Sequence, residues 1–383
     1  MKRCASRASI VCAVIAFLSG CGDGPDAKPT VISSGDTRSI TASGYETCAV
    51  LQSGKVRCWG YNLAGELGDG TTNSSSVPLE VQGLEGVTSA AVGGNQVSAL
   101  LSDGTVQCWG DNSKGQLGDG TTDNRSVPGA VPGLAGVESL ASGRLHTCAR
   151  LGDGTLKCWG FNFMGQLGNG TAEDSSQAAF VLGVVGATAV VSGTYHNCAL
   201  GSGTMQCWGN NADGELGSAS GESSNIPVTV VGMTNAVAIA AGYGHTCAAL
   251  ADGNLNCWGY NGYGQLGDGS LRDWGQPRLV VHISGAVAPA AGDFHSCVLL
   301  SDGTISCWGD NDLGQLGDGT NDFRASPVKV VGITDAVSIA SGSFHTCALL
   351  TSWLVKCWGY NAYGQLGDGT LVNSSVPVLV SGL

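Results

Sequence analysis

Cysteines recur along this chain at spacings that could form disulfide bonds or bind a metal ion. A Cys-Trp-Gly triplet occurs seven times, at Cys58, Cys108, Cys158, Cys207, Cys257, Cys307 and Cys357. In six copies a second cysteine stands nine or ten residues earlier, which gives the candidate pairs Cys48–Cys58, Cys148–Cys158, Cys198–Cys207, Cys247–Cys257, Cys297–Cys307 and Cys347–Cys357. In the second copy Ser98 replaces the earlier cysteine, so Cys108 has no partner in its repeat.

We predict that each pair is a disulfide across a β-hairpin. A three-residue Ser-Asp-Gly turn places positions ten apart opposite each other, at a separation that a disulfide can bridge. The fourth copy agrees, because its cysteines are nine apart and its turn, around Ser202 and Gly203, is one residue shorter. Reduced core cysteines and zinc binding remain open, although the Cys-x-x-Cys spacing of structural zinc sites is absent. Six disulfides would indicate export to an oxidising compartment.

Five histidines stand two residues before the first cysteine of their repeats: His146, His196, His245, His295 and His345. Glu46 and Gln96 occupy this position in the first two repeats. A ring of imidazoles around a symmetry axis could bind a metal ion. We instead expect each imidazole to hydrogen-bond a loop backbone in its own repeat. The sequence thus predicts no metal site and no cofactor, and no catalytic group stands apart from the repeat, so we expect no enzyme.

Two tryptophans depart from the repeat pattern. The seven tryptophans of the triplets are predicted to pack between neighbouring repeats. Trp274 and Trp353 stand where other repeats carry small or polar residues, so we predict that they are possible contacts for a partner. The aspartates of the Gly-Asp-Gly loops, such as Asp69, are predicted to bond backbone amides of their own turn. Calcium is an alternative there, with few ligands per loop.

The repeats determine the predicted fold class. Each repeat of about 50 residues contains four short β-type segments separated by Gly, Asn and Asp. Seven such repeats indicate an all-β, seven-bladed β-propeller with four-stranded antiparallel blades over residues 39–383, and a solenoid is the alternative. Segments of small residues such as 239–242 are predicted to be innermost, and the Val-Pro segments outermost. We expect the C-terminal strand to complete the blade that the N-terminal half repeat begins, which would close the ring.

The first 38 residues differ from the repeats. Residues 1–20, with a basic start and a short apolar run, are predicted to be a signal peptide. The segment that ends at Cys21 resembles a bacterial lipobox, so we expect Cys21 to be lipidated and to provide the protein's only membrane attachment. Residues 21–38 are predicted to be a flexible tether. The predicted location is the cell envelope, which would be the outer membrane if the cell is Gram-negative, and secretion is the alternative.

Net charge argues against nucleic acid as a partner. The chain has a formal charge of −13, and residues 1–20 contain three basic and no acidic residues, so cleavage would make it −16. An acidic surface repels phosphate backbones. We therefore predict no nucleic-acid binding.

Three strings recur together: Gly-x-x-His-Thr-Cys-Ala-Leu, Asp-Gly-Thr-Val-x-Cys-Trp-Gly and Asn-x-x-Gly-Gln-Leu-Gly-Asp-Gly. Their combination resembles the repeat of the regulator of chromosome condensation family over residues 39–383. The resemblance implies a seven-bladed propeller. The founder of that family is a guanine nucleotide exchange factor that binds chromatin, whereas this acidic chain looks exported. Its cysteine-rich repeats also resemble secreted bacterial repeat proteins, and a bacterial β-lactamase inhibitor shares the fold.

These observations together predict a non-enzymatic scaffold. We expect an exported, envelope-anchored monomer that binds an unknown protein ligand through the loops on one face. One alternative is a guanine nucleotide exchange factor or other GTPase regulator. A second is an inhibitor of an extracytoplasmic enzyme.

Overall fold

The computed structural model describes residues 35–201, 204–218 and 220–383. These residues form seven antiparallel sheets, each built from four consecutive strands. Blade 1 contains β1 (Thr37–Ser43), β2 (Glu46–Leu51), β3 (Val56–Gly60) and β4 (Ser75–Glu80); blade 2, β5 (Val87–Val92), β6 (Gln96–Leu101), β7 (Val106–Gly110) and β8 (Arg125–Ala130); blade 3, β9 (Val137–Ser142), β10 (His146–Leu151), β11 (Leu156–Gly160) and β12 (Ser175–Phe180); blade 4, β13 (Ala187–Ser192), β14 (His196–Gly201), β15 (Thr204–Gly209) and β16 (Ser224–Thr229). Blade 5 contains β17 (Ala236–Ala241), β18 (His245–Leu250), β19 (Leu255–Gly259) and β20 (Trp274–Leu279); blade 6, β21 (Ala286–Ala291), β22 (His295–Leu300), β23 (Ile305–Gly309) and β24 (Arg324–Lys329); blade 7, β25 (Ala336–Ser341), β26 (His345–Leu350), β27 (Val355–Gly359) and β28 (Ser374–Leu379).

The chain is therefore an all-β, seven-bladed propeller, as predicted. The first strands of all seven blades line the central channel with small side chains such as Ala141, Ala240 and Ala290. Large side chains could not converge at this radius. The fourth strands are outermost, and six of the seven carry a proline, for example Pro78 in β4 and Pro377 in β28. Proline has no amide hydrogen and is tolerated on an edge strand.

The second and third strands of each blade form the hairpin that carries the cysteines. The register pairs Cys148 with Cys158, and in blade 4 it pairs Cys198 with Cys207 despite the shorter spacing. All six predicted pairs are bonded. Residues 202–203 lie outside the described residues. In blade 2 the Cys108 thiol is buried, 3.1 Å from the Ser98 hydroxyl opposite it.

The ring is closed, but not by the predicted sharing of a strand. Blade 1 obtains its fourth strand from β4, and β28 completes blade 7. Closure comes from packing instead: Ile40 and Trp59 of blade 1 share a hydrophobic cluster with Val355 and Leu366 of blade 7. The period of the repeat determines the number of blades but not which strand of a blade comes first in the chain. The prediction therefore assigned the last strand to the wrong blade.

Five of the seven seams between blades contain a repeated hydrogen-bond relay. At the closing seam the His345 imidazole lies 2.8 Å from the hydroxyl of Thr47, which donates to the carbonyl of Gln365 at 3.2 Å. The Trp59 indole donates to the same carbonyl at 2.9 Å. Because the Thr47 hydroxyl donates its hydrogen to the carbonyl of Gln365, it can only accept from His345, so Nε2 of His345 carries the hydrogen of this bond.

The same relay occurs at four other seams, with Asn197 in place of the hydroxyl at one of them. The histidines are thus structural, but the predicted partner was wrong, because each imidazole reaches a side chain of the next blade instead of a loop backbone in its own. Burial lowers their pKa values, to about 4 for His146 and to about 3 for the other four. The glycine before each turn makes room for the ring, since a Cβ on Gly143 would lie 2.2 Å from Cε1 of His146.

The seam between blades 1 and 2 lacks the relay. Glu46 replaces the histidine and Val97 replaces the hydroxyl residue. The Glu46 carboxyl is fully buried, and neither of its oxygens has a hydrogen-bond partner among the described residues. Burial, and to a lesser degree the nearby Glu66, raises the pKa of Glu46 well above its usual value, so folding disfavours ionisation of this carboxyl.

Predictions for the N-terminus fall mainly outside the described residues. The signal peptide at 1–20, the lipidated Cys21 and most of the 21–38 tether belong there. The first strand already begins at Thr37. Over the three described ranges, no helix has the length and apolar character needed to cross a membrane.

Candidate binding face

Two sets of connections reach the same face of the disc: the turns between first and second strands, and the long loops after third strands. All eight tyrosines of the chain lie in these connections, and three of the phenylalanines there contact their rings. We call these eleven rings the aromatic face: Tyr45, Tyr61, Phe161, Tyr195, Tyr243, Tyr260, Tyr263, Phe294, Phe344, Tyr360 and Tyr363. The opposite face, formed by the other two sets of connections, contains none of them.

The rings touch one another from blade to blade. Neighbouring centroids lie 5.4–6.4 Å apart along the line Phe161, Tyr195, Tyr243, Phe294, Phe344, Tyr45 and Tyr61. A second row rests on this line, with Tyr263 4.9 Å from Phe294 and Tyr363 5.4 Å from Tyr45. Such contacts hold the rings in fixed positions and lower the entropy cost of binding a partner.

Part of the aromatic face is open to solvent. Tyr263 is 41% exposed and Tyr363 is 36% exposed. Beside the rings, Leu63 and Phe163 point apolar side chains outward from the same loops, with exposures of 67% and 69%. Exposed apolar side chains grouped on one face in this way mark an interaction site in soluble proteins.

Blade 2 interrupts the aromatic face. It carries Asn95 and Asp111 where other blades carry rings, so the rings form an arc and not a circle. Lys114 of this blade reaches toward blade 3, where its ammonium lies 5.5 Å from the centroid of Phe161 and 3.5 Å from the carboxylate of Asp174.

The mouth of the central channel lies inside this arc. A cavity of about 130 Å³ is bordered by Arg144, Asp293 and the small residues of the seven turns. Burial raises the pKa of Asp293, although a hydrogen bond from Ser343 and the charge of Arg144 act in the opposite direction.

Carboxylates border the rings between blades 4 and 5. Burial and the nearby Asp273 raise the pKa of Asp213. Burial also raises the pKa of Glu215, to about 7, against hydrogen bonds from backbone amides and from Asn210. Neither Asp213 nor Asp273 forms a salt bridge within the described residues. This corner therefore concentrates negative charge beside Tyr260.

The two predicted contact tryptophans lie at opposite ends of their blades. Trp274 begins β20 beside the aromatic face, but its indole donates to Asp268 at 3.0 Å and its ring lies under Arg272 and Arg278, 4.4 and 3.8 Å from the guanidinium carbons. Trp353 occupies the turn before β27, on the other face, 41% exposed and with a left-handed φ of 64°. They do not form one site.

The Gly-Asp-Gly loops bond their own turns as predicted. Asp69 accepts the backbone amide of Thr71 at 2.9 Å, and Asp268 accepts that of Ser270 at the same distance. No cluster of His, Cys, Asp and Glu suited to a metal ion occurs in the part of the chain that the structure describes.

The sequence analysis missed the aromatic face. The rings could have been found from their positions within the repeat. Each ring stands one or two residues before the histidine position, or one or four residues after a Cys-Trp-Gly triplet. Because these positions vary in type from repeat to repeat, the consensus does not contain them.

Fold and repeat together define a β-propeller built from copies of one 50-residue motif. A model of the Regulator of chromosome condensation (RCC1) repeat matches residues 53–100, 103–150, 202–249, 252–299 and 355–383. A second model of that description matches 87–116, 137–166, 236–265, 290–315 and 336–365. The chain belongs to this family. No curated protein matches the sequence.

Solved structures share the fold at low identity. Human WBSCR16 superposes with a TM-score of 0.78 at 23% identity, over 86% of this chain and 95% of that one. Prp20p from Saccharomyces cerevisiae, described with its binding properties to Gsp1p and histones, gives 0.77 at 23% identity, over 89% and 86%. The ectodomain of the Physcomitrella patens receptor kinase CR4 gives 0.54 at 21%, over 85% and 74%.

Proposed function

We propose that this chain is an exported, envelope-anchored scaffold, without enzymatic activity, that binds a protein partner through the aromatic face. The observation that carries the proposal is the continuous arc of rings on one face. The seams are held by tryptophans and histidines, so ring closure does not account for tyrosines such as Tyr263 at the surface. Tyrosine is enriched among residues that dominate binding energy at protein interfaces.

Export is supported by the six disulfides, which persist in oxidising compartments. Attachment through a lipid on Cys21 is the further part of this proposal. Intact-mass measurement of protein purified from membranes should show a chain that begins at Cys21 and carries the mass of its acyl groups. Cys21→Ala should abolish membrane attachment and leave the folded propeller released. An unmodified N-terminus at any other residue contradicts the anchor.

Binding through the aromatic face can be tested by photo-crosslinking in intact cells. A benzoylphenylalanine at Tyr263 or at Tyr363 should capture the partner. The same probe at Trp353 is a matched control, because that aromatic residue is similarly exposed but lies on the other face. Capture at Trp353 alone, or equal capture at all three positions, would contradict the proposal.

An exchange factor for a GTPase is the second candidate, favoured by the likeness to Prp20p, which is described as binding Gsp1p. Identity of 23% supports a shared fold and no more. Nucleotide release from a small GTPase, measured with a fluorescent GDP analogue, separates the two: acceleration by the purified chain would favour the exchange factor. The third candidate, an inhibitor of an extracytoplasmic enzyme, would be seen as a hydrolase among the crosslinked partners.

A further inference from the structure

Two seams of the ring carry related side chains of different charge at the same repeat positions. At the seam between blades 2 and 3 these positions hold Lys114, Phe161 and Asp174. At the seam between blades 4 and 5 the equivalent positions hold Asp213, Tyr260 and Asp273. An aromatic ring and a carboxylate are present in both places, but the lysine of the first is an aspartate in the second.

In the first set, the aromatic ring and the carboxylate together hold a cation. The Lys114 ammonium lies over the ring of Phe161, 5.5 Å from its centroid, and 3.5 Å from an oxygen of Asp174. The negative face of an aromatic ring attracts a cation, and the carboxylate adds a charge–charge attraction. The protein thus supplies its own cation to this site.

The second set lacks a cation of its own. Asp273 is fixed in place because its carboxylate accepts the amide hydrogen of Asn261 at 2.7 Å. Asp213 lies close to the backbone of Gly244, where a Cβ would be 3.1 Å from its Oδ2 and 3.5 Å from Cβ of Tyr260. The two carboxylates repel each other beside the ring, and neither has a salt bridge among the described residues.

We propose that the seam between blades 4 and 5 is a cation subsite of the aromatic face, and that it takes a lysine or arginine side chain from a polypeptide segment of the partner. This inference rests on the proposed function and names the chemistry of the partner. A polypeptide fits better than a free small cation, because the apolar surface continues from Tyr260 to Tyr263 and Phe294, with 6.4 and 4.9 Å between successive ring centroids. The protein's net charge of −13 adds long-range attraction for a basic segment.

The most informative variant reproduces the arrangement of the first set in the second. Asp213→Lys places an ammonium where Lys114 stands in the other set, so the subsite should fill itself. Glu85→Lys is the matched control, because it makes the same change of charge at an exposed residue in the connection between β4 and β5, on the opposite face. Tyr260→Leu removes the ring and keeps both carboxylates. Thermal unfolding of all three variants verifies that the fold is retained.

The probe is fluorescein-labelled hexalysine, with hexaglutamate as the negative peptide, measured by fluorescence anisotropy with the purified full chain. Asp213→Lys should weaken hexalysine binding by about tenfold, which corresponds to ~1.4 kcal/mol, and Tyr260→Leu by about threefold. Glu85→Lys should have a much smaller effect. Equal weakening by Asp213→Lys and Glu85→Lys would show attraction by net charge alone and would overturn the proposal.

The cellular crosslink separates this inference from the proposed function. With a benzoylphenylalanine at Tyr263, Asp213→Lys should greatly reduce partner capture, while Glu85→Lys should not. Undiminished capture in Asp213→Lys would leave the scaffold in place and overturn the cation subsite. Absence of capture from the unsubstituted face would instead contradict the proposed function itself.

Discussion

The imidazole of His345 donates to the hydroxyl of Thr47 across the seam where the last blade meets the first, at 2.8 Å. These residues are 298 positions apart, and the bond repeats one that other seams make between neighbouring blades. No shared strand joins these two blades. The closing seam is held by side-chain contacts such as this bond and by backbone hydrogen bonds between loops, such as that from the amide of Ser343 to the carbonyl of Gly44 at 2.9 Å.

Thr47→Val should therefore destabilise the protein by about 1–3 kcal/mol, because it leaves a buried imidazole N–H without an acceptor. Urea denaturation measures the change. Thr346→Val provides the comparison, since Thr346 accepts from His295 at 2.9 Å at a seam that the chain also crosses covalently. If Thr346→Val is destabilising and Thr47→Val is neutral, the closing seam is not held in this way.

Stability should fall as the pH decreases from about 6.5 toward 3. Burial lowers the histidine pKa values to about 3 or 4, whereas an unfolded histidine titrates near 6.5. Above pH 6.5 the imidazoles are neutral in both states, so their contribution is fully present; below it only the unfolded chain takes up protons. Each histidine could cost up to about 3 kcal/mol at pH 4.5.

His196→Gln tests the histidine contribution, since Gln96 already occupies the equivalent position in blade 2. Its urea midpoint should change less between pH 7 and pH 4.5 than that of the unsubstituted protein. An equal change in both proteins would assign the acid sensitivity to other groups.

Glu46→Gln should stabilise the protein at pH 8 by about 1–3 kcal/mol. Its raised pKa means that the buried carboxyl stays protonated while the unfolded chain ionises, so its contribution is present at low pH and is lost as the pH rises through the folded-state pKa. A neutral amide removes this dependence. Denaturation at pH 5 and pH 8 is the measurement, and a gain that is no larger at pH 8 than at pH 5 speaks against it.

Ser98→Cys should add a seventh disulfide. Ser98 and Cys108 are directly paired in the register that the six bonded pairs share. Crosslinking so short a loop should contribute about 2–3 kcal/mol. Thiol titration in denaturant should detect one free thiol fewer in the variant than in the starting protein, and one free thiol more would refute the pairing. In the folded starting protein Cys108 should resist alkylation, because burial raises its pKa to about 12.

Periodicity predicted the parts of the fold that repetition enforces. Seven triplets determined the number of blades, and hairpin geometry determined the disulfides, including Cys198–Cys207 with its shorter spacing. The first strand of each blade was harder to predict: the C-terminal strand was expected to complete the first blade, but it completes blade 7, and the strand that contains Pro78 completes blade 1. Only hydrogen bonds between strands show where a blade begins.

The candidate site could not be predicted in the same way. Tyr195, Phe294 and Phe344 lie at a position occupied elsewhere by Asn95 and Leu145, so no consensus points to it. Their proximity depends on the curvature of the ring, which brings residues about 50 positions apart within 6.4 Å. Trp274 was predicted to be a contact because it departs from the repeat pattern. Its ring is already covered by Arg272 and Arg278, and its indole N–H donates to Asp268.

Blade 2 should be the first blade to unfold locally. Among the described blades it alone carries an unbonded cysteine, and on one side it meets the buried, unpartnered carboxyl of Glu46 in place of an imidazole relay. Local unfolding starts where cooperative links are fewest, so the amide hydrogens of β6 and β7 should exchange with solvent sooner than those of the other cysteine hairpins. The seven blades, although similar in sequence, would then unfold in a preferred order.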